Sequence, residues 1–294
     1  MDNVTKAQAA KHLLALREAS RNFPAFVRFL HPTFAIPKFH EEMMDVLDKL
    51  ERGTLGKQKV MVNLPVRHGK SWLFSTCFPL YYMARKPTRK ILASSYGADL
   101  ANTLGKDVRN LALDPRVTNV FQKFELAKDS QASNDWRTTQ GGKYYACGID
   151  GSTSGRPANL LICDDLLKNR ADADSPTTRN KAWSHYVSAL VKRLEPEIDN
   201  TLPIELCIST RWHPDDPCGR IIDGEDYKEG DWHHIVMPAI SKQPSQIQIP
   251  RDALPPSDPR YLSTEDIHQF RGSKKDYFVN EDIDTAHTCP KCGY

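Results

Sequence analysis

The eight residues 64–71, LPVRHGKS, constrain this chain more than any other segment because of what flanks them. Upstream, residues 59–65 (KVMVNLP) are short, β-prone and ended by proline, a strand running into a loop. Downstream, residues 71–85 carry a helical pattern. A turn between a strand and a helix can aim backbone N–H groups at an anion, and the helix N-terminus adds the positive end of its dipole. Gly69 leaves room where a side chain would block a phosphate, Lys70 offers a cation to β- and γ-phosphates, and Ser71 a hydroxyl to Mg2+. The general pattern has a second glycine five residues before Gly69, and Leu64 stands there instead.

The flanking sequence repeats the alternation. Helical spacing runs over residues 7–30, with Pro24 as a break or a new first turn, and again over 40–50. Strand-like runs at 90–95, 160–163, 205–210 and 234–237 alternate with helical patterns at 98–113 and 175–194, while 121–150 reads as hairpin material. This predicts an α/β fold with a mostly parallel central sheet and helices on both faces. Six prolines between positions 238 and 259 mark an extended C-terminal arm. The expected organisation is an N-terminal helical region (1–50), a core (51–240) and a proline-rich linker and tail (241–294).

Four further features carry chemistry. LLICDDLL at 160–167 delivers Asp164 and Asp165 to the carboxyl end of an apolar strand, where open α/β sheets bind ligands. Asp164 suits Mg2+ and Asp165 the orientation of an attacking water, although two acids can also simply solvate a strand end. Ser209, Thr210 and Arg211 end another strand, either as an ordinary turn or as a sensor of the γ-phosphate. Arg156 and Arg67 are candidate phosphate-reaching arginines or plain surface residues. Cys289 and Cys292, with His287 nearby, resemble half of a zinc ribbon, which needs four ligands. The other five cysteines read as core residues.

Net charge is only +3, but residues 57–116 hold eleven Lys/Arg against three Asp, and residues 223–294 eight basic against thirteen acidic side chains. The basic block implies a polyanion partner or a solvated surface with phosphate-binding residues. An apolar fraction of 39% excludes intrinsic disorder, and no run approaches a membrane span. The N-terminus lacks the apolar segment of a signal peptide, and the scattered cysteines fit a reducing compartment.

Taken in order, LPVRHGKS, KILASSYGADLA, STSGRPANLLICDDLLKNRADADSPTTRNKAWSHY and STRWHPDDPCGRII resemble the ATPase half of the large terminase subunit of tailed bacteriophages. The resemblance spans about residues 36–240. It implies an ASCE-type P-loop ATPase that packages double-stranded DNA into a procapsid through the portal. It would work with the small terminase subunit as a homo-oligomeric ring in the host cytoplasm, away from any membrane. It further implies that Arg67, His68, Gly69, Lys70 and Ser71 form the ATP-binding loop, with Phe39 and His40 near the adenine. Ser71 and Asp164 would hold Mg2+, Asp165 would be the catalytic carboxylate in place of the usual Glu, Ser209–Arg211 the coupling motif, and Arg156 a trans-acting finger. The similarity fades near residue 241, and 54 residues are too few for the RNase H-like nuclease domain of a complete large terminase, so no nuclease activity is expected. Other readings are a catalytically silent remnant or assembly module, and a helicase-like ATPase, which would need a second lobe.

Overall fold

The computed structural model describes residues 3–237. The chain divides into two compact units, residues 1–235 and 236–294; Cys289 and Cys292 lie outside the described residues.

Three helices come first: α1 (Asn3–Ala19), α2 (Phe23–Leu30) and α3 (Lys38–Glu51). Pro24 opens α2 rather than kinking a longer helix, because the Asn22 side chain accepts the Ala25 N–H at 2.8 Å and proline needs no partner in a first turn. Strand β1 (Lys59–Asn63) leads through the 64–70 loop into a π-helical turn, Ser71–Cys77, which continues as α4 (Phe78–Arg85). The helical pattern over 71–85 is therefore not one regular helix. Pro79 has no N–H to return to the preceding turn, and the Phe78 N–H reaches five residues back to the Leu73 carbonyl.

Next come β2 (Lys90–Ser95), α5 (Ala98–Ala112), α6 (Pro115–Val120), β3 (Leu126–Gln131), β4 (Asp135–Thr138), β5 (Lys143–Gly148) and β6 (Leu160–Asp164). Beyond β6 lie α7 (Arg170–Asp174) and α8 (Pro176–His185). Ser175 caps α8 by accepting the Thr178 N–H, as the Ser-Pro pair predicts, but α8 ends at His185 and passes through a π turn and a 3-10 turn to Arg193. Finally come β7 (Ile204–Ser209), α9 (Pro217–Asp223), α10 (Glu225–Lys228) and β8 (Trp232–Val236).

The eight strands form one sheet in the order β3-β4-β5-β2-β6-β7-β1-β8. The five from β5 to β1 are mutually parallel, and the 121–150 hairpin material extends this sheet, with β4 antiparallel to both β3 and β5. Parallel strands buried on both faces need apolar residues throughout, and β6 is buried at every position. One face packs Met61, Leu92, Leu161, Cys163 and Cys207 against Ala182, Tyr186, Leu190, Cys218 and Ile221. Beside α4, Phe23 and Phe26 of α2 stack on Phe78 and Tyr81 and anchor the N-terminal helices to the core. The five cysteines among the described residues are buried free thiols, as expected of core residues.

At the amino end of the parallel strands sits a buried ion network. Arg89 reaches Glu51 at 2.8 Å and Glu197 at 2.9 Å, and its guanidinium lies 3.9 Å over the Tyr82 ring. Removing one partner of a buried pair leaves an uncompensated charge, so Arg89→Ala is expected to lower unfolding stability by ~3–5 kcal/mol in urea titration. A loss below ~1 kcal/mol would show that water reaches the site and screens it.

Candidate active site

The strand register brings four chain segments together at the carboxyl edge of the sheet. Asn63 at the end of β1 is level with Ser209 at the end of β7, and Asp164 at the end of β6 is level with Ile208 and with Ser95 of β2. Because β7 lies between β1 and β6, the residues following Ser209 must stand between the 64–71 loop and the two aspartates.

The loop is tightly curled. Arg67 and Gly69 adopt φ values of +63° and +72°, left-handed conformations that turn backbone N–H groups into a concave, anion-attracting surface. At Gly69 any side chain would be excluded twice, by this conformation and because a Cβ would lie 2.9 Å from His40 Nε2. His40 is buried and donates from Nε2 to the His68 carbonyl at 2.8 Å, so α3 braces the loop from beneath. Burial holds its imidazole below the ordinary histidine range. The Phe39 ring packs on His40, with centroids 4.3 Å apart, and on His68. Trp72 joins the wall through ring contacts with His31, Phe34 and His40. It also borders an open cleft of about 490 Å3 lined by Ser71, Trp72, Asp107 and Asn110 among others.

Lys70 is the hub. Its buried ammonium lies 2.8 Å from Asp165 Oδ2 and also donates to the Thr210 hydroxyl. The Thr210 N–H donates to the other Asp165 oxygen at 2.7 Å. Asp165 takes a left-handed φ of +48°, fixed by its own N–H to the Ile208 carbonyl and by the Tyr96 N–H donating to its carbonyl. Such a conformation in a non-glycine residue is sparsely populated and survives where surrounding bonds over-determine it, commonly at functional sites.

Asp164 lives differently although it is the adjacent residue. It is 1% exposed; Oδ2 accepts the Ser75 hydroxyl at 2.7 Å and Oδ1 makes no hydrogen bond. Burial first, and then the neighbouring Asp165 charge, push its carboxyl up to about 6, while the Ser75 and Ser71 hydroxyls and Lys70 pull the other way. A buried carboxylate oxygen without a donor, facing hydroxyls, suits a hard cation such as Mg2+, which takes one or two carboxylates plus phosphate oxygens. Among the described residues no cluster of three or more His, Cys, Asp or Glu could hold a metal ion.

The remaining predicted residues divide. Arg67 is exposed at the loop tip and makes no ion pair with a described residue. Arg211 does not reach the cluster's acids: its guanidinium pairs at 2.8 Å with buried Asp216, which also caps α9. Arg156 pairs with Asp135 at 2.6 Å and stacks 3.9 Å over Tyr145, and none of its contacts is to the loop. Within the basic block 57–116, most cations are spoken for. Lys59, Arg85, Lys86, Arg89, Lys90 and Arg116 pair with Asp226, Glu51, Glu197, Glu51, Glu195 and Asp114, so the block is not a free cationic surface.

Sequence reasoning did not single out Ser75, although it follows Ser71 at one-turn spacing on a helix. Nor did it single out Asn63, a polar residue ending an apolar strand, which donates to the Ser209 carbonyl at 3.3 Å. His234, on the neighbouring edge strand, bonds to that same Asn63 at 2.7 Å.

A mostly parallel sheet with flanking helices, and a strand–loop–helix of this shape beside paired acids, is consistent with an ASCE-type P-loop nucleoside triphosphatase fold. Residues 61–193 match the family model described as terminase large subunit, T4likevirus-type, N-terminal. The matched stretch contains the loop from Leu64 to Ser71 and both aspartates, and it supports a terminase-type ATPase domain. No curated protein matches the chain.

The Asp164 environment makes a pH prediction. An ordinary aspartate ionises near 3.8, and Asp164 in the fold near about 6. Between these values the native state keeps a proton that the unfolded chain has released, so stability falls as pH rises through that window and stays lower above it. Asp164→Asn cannot ionise. It is expected to flatten this slope and to raise the thermal midpoint at pH 8, without divalent cations, by on the order of 5 °C. A variant that melts at or below the wild-type temperature at pH 8 contradicts the assignment of a buried, cation-seeking carboxylate.

Proposed function

We propose that this chain is an ATP-hydrolysing motor subunit of the large-terminase type, which drives double-stranded DNA into a viral procapsid. The observation that carries the reading is the cluster of Lys70, Asp165 and Thr210 at the carboxyl edge of the sheet, directly beside the left-handed loop.

In this reading the curled 66–70 backbone and Lys70 bind the β- and γ-phosphates, and Arg67 supplies a second cation from the loop tip. The aromatic wall of Phe39, His40 and Trp72 borders the base. Ser71 and Asp164 hold Mg2+, with Ser75 orienting the Asp164 carboxylate; the bound ion would spread charge from the phosphate oxygens. Asp165 orients the attacking water. Its lysine partner is shared: a γ-phosphate competes with Asp165 for the Lys70 ammonium. As Lys70 turns toward phosphate, the Asp165 oxygen it held is left open to accept a hydrogen bond from the attacking water.

Thr210 touches both members of that pair, so it is the group positioned to register whether phosphate is present. Arg211, locked to Asp216, passes a displacement of Thr210 to α9 rather than reaching phosphate itself. Arg156 would serve a neighbouring subunit's nucleotide only by leaving Asp135. Portal, small terminase subunit, ring assembly and the host cytoplasm as the place of work follow from the same reading. DNA phosphates would be gripped by cations other than the internally paired ones of the 57–116 block.

The direct test is Mg2+-dependent phosphate release from ATP. Lys70→Ala and Asp165→Asn are each expected to lower turnover by ~10²-fold or more, in line with removal of one charge-stabilising group from a preorganised site. Circular dichroism should remain that of the folded wild type. Undiminished turnover in a folded Lys70→Ala protein overturns the site.

A further inference from the structure

A chain of hydrogen bonds leaves the Lys70 cluster in a direction that neither phosphate binding nor water activation uses. Thr210 is followed back to Ser209, whose carbonyl accepts the Asn63 side-chain N–H at 3.3 Å. Asn63 is 3% exposed and ends the strand that feeds the loop, seven residues before Lys70. Its Nδ2 is committed to Ser209, so its Oδ1 is the acceptor that meets His234 Nε2 at 2.7 Å. That fixes the proton of His234 on Nε2. Nδ1 is then a lone pair, and the Tyr227 hydroxyl donates to it at 2.7 Å. The imidazole stays neutral: burial, with Arg211 and His233 adding repulsion, lowers it to about 4. The Asn63, His234 and Tyr227 side chains thus each donate to an acceptor, and none of the three is charged.

Geometry around the ring fits a device that holds position. His234 lies on β8, beside β1 at the end of the sheet. Tyr227 follows α9, the helix whose cap Asp216 is paired to Arg211. From the segment after α9, Tyr227 and His234 lead back to Asn63 at the end of β1, while Arg211 ties the chain after Thr210 to Asp216 at the cap of α9. Amides and neutral imidazoles paired with one another in a partly buried network tolerate few alternative arrangements, which makes such a network rigid.

We infer that Asn63 and His234 are positioning residues for ATP hydrolysis, holding the end of β7, and with it Thr210, in register with the nucleotide loop. The inference rests on the ATPase reading above for its kinetic consequence but not for the relay itself. Neither residue touches the reacting atoms; both act through Ser209 and Thr210.

The test combines kinetics with a resonance. In full-length protein assayed well below its melting temperature, His234→Ala is expected to lower kcat about tenfold with KM for ATP within about twofold of wild type, since positioning acts on the transition state rather than on binding. His234→Gln, whose amide N–H can reach Asn63 Oδ1, should restore most of the loss, and the Asn63→Ala, His234→Ala double variant should be no slower than either single one. A merely structural pair would lower the thermal midpoint and leave kcat of the folded fraction alone. Independently of turnover, the 15N resonances of the His234 ring should report an Nε2–H tautomer and shift in Thr210→Ala. A folded His234→Ala protein with wild-type kcat, or a His234 resonance blind to Thr210→Ala, overturns the inference. If the wild type releases no phosphate from ATP, the ATPase reading falls and the resonance alone decides the relay.

Discussion

The ion pair between Lys70 and Asp165 is the contact on which the rest of the carboxyl edge depends. Two charges are withdrawn from water there, with side chains 8% and 21% exposed, and such a pair holds only when its geometry and extra hydrogen bonds offset the desolvation. Thr210 provides those bonds from both its hydroxyl and its backbone N–H. Thr210 is in reach only because β7 runs between β1 and β6, and Asp165 presents its carboxylate only because its backbone turns left-handed immediately after β6. Sheet order, strand register and one unusual φ angle therefore converge on a three-residue cluster. A different strand between the loop and the acids would leave Lys70 facing two carboxylates with nothing to report on their separation.

Adjacent aspartates on the same strand end illustrate how environment divides labour. Asp165 is met by the Lys70 ammonium and the Thr210 backbone donor. Asp164 is sealed in, with one oxygen held by Ser75 and the other without a donor, and its carboxyl is pushed up. Pairs of acids whose surroundings pull their ionisation apart are how one site gathers two chemical roles.

Much of this was legible before the structure. LPVRHGKS between a β-prone run and a helical pattern located the loop, and the DD pair after four apolar residues located a second strand end at the same carboxyl edge, because periodicity and turn chemistry are local properties. The strand at 90–95 and the Ser175 cap were likewise readable. What was not legible depends on contacts distant in sequence. The charge excess of residues 57–116 was open to two readings, a polyanion partner or a solvated surface with phosphate-binding residues, and neither could foresee that its partners, among them Glu51, Glu195, Glu197 and Asp226, come from outside the block. Ser75 escaped notice because the π turn that carries it arises from Pro79, eight residues beyond the loop lysine's neighbour Ser71. His234 carried no ligand spacing to any other histidine, and its meaning appears only when β8 is laid beside β1.

The neutralised basic block bears on how such a domain would hold DNA. Phosphate contacts contribute affinity by releasing counterions, and a lysine already bound to a carboxylate releases few. Lys59, Lys86 and Lys90 are held this way at 2.5–2.6 Å, so they serve the fold more than a ligand. A grip strong enough to last through every cycle would also resist movement. At the loop, by contrast, Arg67 makes no ion pair with a described residue and stands beside a left-handed turn of the kind that attracts anions.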